Sequence, residues 1–118
     1  MRIAHVIDSL EVGGAEAVVA ALCRLQRSAG HQVSVHCLFK GGVLAEALAK
    51  EEFPVSVHGP ASAKRVVWRL YREFQRSRPN VVHCHNKAAT VRAAAVARLA
   101  GAGAVFSTRH GMAAPPYR

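Results

Sequence analysis

Short apolar runs alternate along this chain with longer stretches whose apolar residues recur every three or four positions. Residues 3–8 predict a first strand. Residues 15–29 predict a helix with Val18, Val19, Leu22 and Leu25 at helical spacing, ended by Gly30. Residues 32–39 alternate and are rich in Val, which predicts a second strand. Gly41-Gly42 turns into a short helix over 43–51, and 54–58 reads as a third strand. That strand belongs at an edge, because Pro54 cannot donate to a ladder. Ser62 caps a helix that runs to residue 76, and Pro79 stops its continuation. Residues 80–85 predict a fourth strand, 87–99 an Ala-rich helix ended by Gly101, and 103–108 a fifth strand. This strict alternation predicts an open parallel β-sheet with helices on both faces. The first strand should be central, with the strand order reversing between strands one and four.

Polar and glycine-rich segments follow three of these strands. Residues 8–16 follow the first, Asn86-Lys87 the fourth, and Arg109-His110-Gly111 the fifth. Loops after parallel strands emerge at one edge of the sheet, so three distant segments converge on one candidate site.

The chain has 118 residues, enough for one domain with its own core. Its 51% hydrophobic and 19% charged content is that of a globular protein. A net charge of +9 points to an anionic partner or to a solvated basic face. Cys23, Cys37 and Cys84 lack metal-ligand spacing and read as buried free thiols. His5 and Asp8 interrupt any signal-peptide apolar region, and no apolar run is long enough to span a bilayer. A cytoplasmic location follows as the expectation. The ending Pro115-Pro116-Tyr117-Arg118 comes just after a strand and its loop, so a further strand or a second domain is expected to follow.

Gly13-Gly14-Ala15-Glu16 opens the first helix. Glycines there let a ligand approach the backbone, and the unpaired N–H groups suit a phosphate or sugar hydroxyl. A plain strand-to-helix turn, with Glu16 favouring the helix dipole, explains the same residues. His83 and His85 share one strand face and Cys84 takes the other. Two histidines alone make no metal site, and His83 reads as a satisfied core residue. His85, Asn86 and His110 fall at strand ends, where functional polar groups belong. The 62–76 helix carries an apolar stripe (Val67, Leu70, Tyr71, Phe74) and a basic one (Arg65, Arg69, Arg72, Arg76), with Trp68 between them. The basic stripe suits anionic lipid headgroups or solvent. Aromatic residues are not interleaved with it, which argues against nucleic acid.

Residues 1–16, Arg78-Pro79-Asn80-Val81-Val82-His83-Cys84-His85-Asn86 and Ser107-Thr108-Arg109-His110-Gly111 resemble three motifs, in order, of the retaining GT-B glycosyltransferases of family 4. The resemblance implies that residues 1–118 form the Rossmann-like N-terminal, acceptor-side domain of a two-domain enzyme. Sugar would pass from a nucleotide-sugar donor to a glycan, lipid-linked or small-molecule acceptor, with retention and without a metal or other cofactor. It makes His110 the candidate catalytic residue, reaching the donor sugar. Candidate substrate-binding residues are Gly13, Gly14, Glu16, His85, Asn86, Arg109 and Gly111. Arg65, Arg69, Arg72 and Arg76 would face an anionic membrane, placing the protein peripherally at the inner face of the plasma membrane. A C-terminal domain would hold the donor nucleotide, so this chain alone should be inactive and prone to self-association through the surface left open. The alternative is a non-catalytic Rossmann-like module that binds an anionic ligand or partner.

Overall fold

A computed structural model describes residues 1–9, 14–59 and 62–108, without the side chains of residues 9, 15, 63 and 86–92. The elements are β1 (Arg2–Ser9), α1 (Gly14–Ser28), β2 (Gln32–Lys40), α2 (Val43–Lys50), β3 (Val55–Val57), α3 (Ala63–Ser77), β4 (Val81–His85), α4 (Asn86–Leu99) and β5 (Ala104–Thr108). All five strands are parallel, in the order β3-β2-β1-β4-β5. The order reverses between β1 and β4, and β3 is an edge, as the sequence predicts. This is a Rossmann-like α/β sheet.

Strand alternation sorts side chains into two cores. Ala4, Val6, Leu38, Val82 and Cys84 face α3 and α4, where they meet Val66, Leu70, Phe74, Ala93, Val96 and Ala97. Ile7, Val33, Val35 and Cys37 face α1 and α2, where they meet Val19, Ala20, Cys23, Ala45 and Leu48. All three cysteines are buried and free. At the amino edge the Asn80 side-chain oxygen accepts from the Arg2 N–H (2.7 Å), and Arg2 Nε donates to the Arg78 carbonyl (2.6 Å). These bonds fix β1 beside β4.

Two helices present faces that differ from the sequence-based expectation. In α1 the inward residues are Val19, Ala20 and Cys23, while Val18 and Leu25 are exposed. Gln26 takes the next inward position because buried His5 lies beneath it and needs a partner. In α3 the fully buried row is Val66, Leu70 and Phe74, and the expected Val67 and Tyr71 pack only at its margin. The row at i, i+4, i+8 sits centrally over the sheet, and its flank faces α4.

The helices end by a common device. After α1 the His31 N–H reaches back to the Gln26 carbonyl (3.1 Å) around Gly30, at φ 95°. After α2 the Phe53 N–H reaches the Leu48 carbonyl (3.0 Å) around Glu52, at φ 70°. Left-handed geometry crowds the Cβ of glutamate and not of glycine. Glu52→Gly should therefore stabilise the fold by about 1 kcal/mol despite the greater freedom of glycine in the unfolded chain. Urea unfolding of the two proteins measures it, and an unchanged or lower midpoint would remove strain at Glu52 from the account.

Candidate functional site

Parallel strands put the ends of β1, β4 and β5 at one edge, with Ser9, His85 and Thr108 as their last residues. The helices that follow β1 and β4 begin at this edge, so α1 and α4 start on either side of the order reversal. Their first N–H groups lack intrahelical acceptors and favour an anion. Gly14 opens α1, exposed, and among the described residues, its chain neighbours aside, nothing lies within 4 Å of where its Cβ would be. Packing alone therefore does not require glycine there. Glu16 is half-buried in the first turn of α1.

Beneath this edge lies a cluster of histidines on the α1 face of the sheet. His5 pairs in register with His83, and His85 lies two residues further along β4. The His83 and His85 rings stack with centroids 4.0 Å apart, and the His5 ring is 5.2 Å from that of His85. The Gln26 side-chain oxygen lies 2.7 Å from His5 Nε2, so that nitrogen carries the proton and donates. In a neutral ring His5 Nδ1 then accepts, and His85 Nε2 donates to it across 3.0 Å. His83 Nε2 lies 2.6 Å from Thr108 Oγ1, which ties β4 to β5. Burial pushes the His5 pKa down to about 4; the bond to Gln26 opposes this and nearby His83 adds to it. His5 is therefore neutral at pH 7.

His5, His83 and His85 place their ring nitrogens within 4.8 Å of one another. Three imidazoles can hold a zinc ion. Here both nitrogens of His5 are engaged, with Gln26 and His85, so an ion would have to displace those hydrogen bonds. A second set within the same distance, His36, His58 and Glu73, lies under α3.

His85 is thus at the expected strand end, but its ring is fully buried against His5. Asn86 opens α4 at the same edge. Gly13, Arg109, His110 and Gly111 lie outside the described residues. His5 and Gln26 are the partners that the sequence reading missed. Strand pairing brings His5 beside the end of β4, and the docking of α1 brings Gln26 onto His5, although His5 does occupy an alternating strand position.

Away from this edge, Arg65, Arg69, Arg72 and Arg76 are all exposed on one face of α3. Trp68 is 57% exposed beside them. Ser62 caps this helix through its side chain, which accepts from the Arg65 N–H (3.3 Å). No helix among the described residues is long and apolar enough to cross a membrane.

The model of glycosyltransferase family 4 matches residues 12–118, which include all of the chain after β1 and its loop. No curated protein matches the chain.

The histidine network makes stability depend on pH with a definite sign. His5 titrates near 4 when folded and near 6.5 when unfolded, so below 6.5 the unfolded chain binds more protons. Its contribution is complete above pH 6.5 and is lost as pH falls toward 4. Between pH 7 and pH 5 the fold should lose about 2 kcal/mol through His5 alone. Urea denaturation at the two pH values tests this, and equal stability would mean that His5 is not buried in its neutral form.

Proposed function

The chain belongs to glycosyltransferase family 4, and we propose that it is the acceptor-side domain of a retaining, two-domain GT-B enzyme that uses a nucleotide-sugar donor. The family match carries this reading, because it spans the ends of β4 and β5 together with the start of α1. The edge where those segments emerge supports it. Two helix N-termini flank the strand reversal, a favourable place for a phosphate-bearing donor or a hydroxyl-rich acceptor.

In this reading Gly13, Gly14 and Glu16 lie against the donor phosphates or the acceptor. His85 and Asn86 shape the acceptor side. Arg109 and Gly111 flank His110, whose imidazole hydrogen-bonds the donor sugar near the reacting carbon. The leaving phosphate takes part in removing the acceptor's proton, so the transfer itself calls for no metal. The buried His5–His85 pair acts as a positioning element, since it holds the end of β4 on which Asn86 follows. The donor nucleotide is bound by a second domain, and the chain alone gives no transfer.

The basic face of α3 belongs to the same reading. The helix buries Val66, Leu70 and Phe74 and turns four arginines and Trp68 outward. An acidic membrane surface fits that face, which would hold the enzyme near a lipid-linked acceptor at the inner face of the plasma membrane.

In the complete enzyme, His110→Ala should lower kcat about a hundredfold and leave the thermal midpoint unchanged. Steady-state transfer from a nucleotide sugar measures this, and a variant with the parent kcat would take His110 out of the reaction.

Sedimentation with vesicles tests the α3 face. Vesicles containing anionic lipid should bind the protein and neutral ones should not, with a gain of about 1 kcal/mol per arginine that added salt weakens. Equal binding to both vesicle types would leave the arginines as a solvated face.

A further inference from the structure

Under α3, on the sheet face opposite the His5 cluster, lies a second group of titratable side chains. His36 on β2 shares its face with Ser34 and Leu38. His58 follows β3, and Glu73 lies on α3, one residue before Phe74. The two rings stack with centroids 5.8 Å apart, and His36 also meets the edge of Phe74. His36 is 3% exposed and His58 2%. His36 Nδ1 and His58 Nε2 are buried without a hydrogen-bond partner. They face the two oxygens of Glu73, at 3.4 Å and 3.6 Å respectively.

Such an arrangement is costly as it stands. Each buried nitrogen is either an N–H without an acceptor or a lone pair facing a carboxylate. A cation between the three groups removes either problem. We propose that His36, His58 and Glu73 form a binding site for a first-row divalent transition-metal ion, with Zn²⁺ as the expected occupant.

The donor set and spacing fit that class of ion. Two imidazoles and a carboxylate suit zinc and its neighbours better than the hard cations calcium and magnesium. Ligand atoms about 2.0–2.2 Å from a tetrahedral zinc lie roughly 3.3 Å apart. Both nitrogen-to-oxygen separations are close to this, and no two of the ligand atoms are more than 4.8 Å apart. The outer contacts fit as well. The Ser56 hydroxyl donates to Glu73 Oε1 (2.9 Å), and Ser34 Oγ lies 3.5 Å from His36 Nε2, the nitrogen that would keep its proton. His36, Ser56 and Glu73 line a cavity of about 320 Å³, which leaves room for a water as fourth ligand. The cavity also reaches Arg2, Pro54 and Pro79, at the amino ends of the strands, away from the proposed transfer edge. The ion would therefore pin α3 to the edge of the sheet and take no part in the transfer.

Titration of the metal-free protein with Zn²⁺ against a chromophoric chelator should give one equivalent bound. The ring resonances of His36 and His58 should shift, and those of His5 should not. Glu73→Gln should weaken binding at least about tenfold, while His83→Gln, in the other cluster, binds as the parent does. Co²⁺ in place of zinc should give the intense visible bands of a four-coordinate site. The absence of stoichiometric binding would overturn the proposal, as would parent affinity in Glu73→Gln. Shifts confined to His5, His83 and His85 would assign the ion to the other cluster and equally overturn it.

Discussion

A parallel sheet covered by helices on both faces keeps water from its interior, and this chain places four histidines there. His5, His36, His58 and His85 are all buried. Removing water penalises the imidazolium form, so His5 and His36 are both pushed down to about 4. Neutral rings still carry a donor and an acceptor that must be matched. The α1 face meets this demand by turning Gln26 inward in place of a larger apolar residue and by pairing His5 with His85. The choice of which α1 residues face the core follows from that need.

The α3 face handles the same constraint differently. There His36 and His58 face a carboxylate without completing hydrogen bonds to it. Glu73 keeps a bond from Ser56, while the imidazole nitrogens facing it stay without a hydrogen-bond partner. The same helix places its arginines on the outside. Anchored inward by Val66, Leu70 and Phe74, it can present its charge as a fixed surface instead of a mobile one.

Chain connectivity separates these tasks in space. Every strand runs the same way, so helix N-termini and the loops after strands share one edge. The reversal of order between β1 and β4 opens a gap there between neighbouring helices. Membership of glycosyltransferase family 4 is the ground on which that edge is proposed as the substrate site. The histidine network below it ties β1, β4 and β5 together through side chains as well as the ladder.

Local signals alone determined the element order, the central first strand, the edge position of β3 and the burial of the cysteines. Period-two and period-3.6 patterns, prolines and glycines act over a few residues, and a parallel α/β order then follows from right-handed connections. The same signals placed His85 and Asn86 at a strand end and the arginines on one helix face, since each depends on position within one element. Tertiary structure decided the rest. Val18 and Leu25 look inward-facing in sequence but are exposed, because the sheet beneath α1 offers a histidine that Gln26 satisfies better. His5 and His85 stand eighty residues apart, as His36 and Glu73 stand on different elements, and only strand register and helix docking bring them together. Periodicity records which face of an element is apolar. It holds no information on which polar group waits across the interface, and in this protein that pairing sets the chemistry of both clusters.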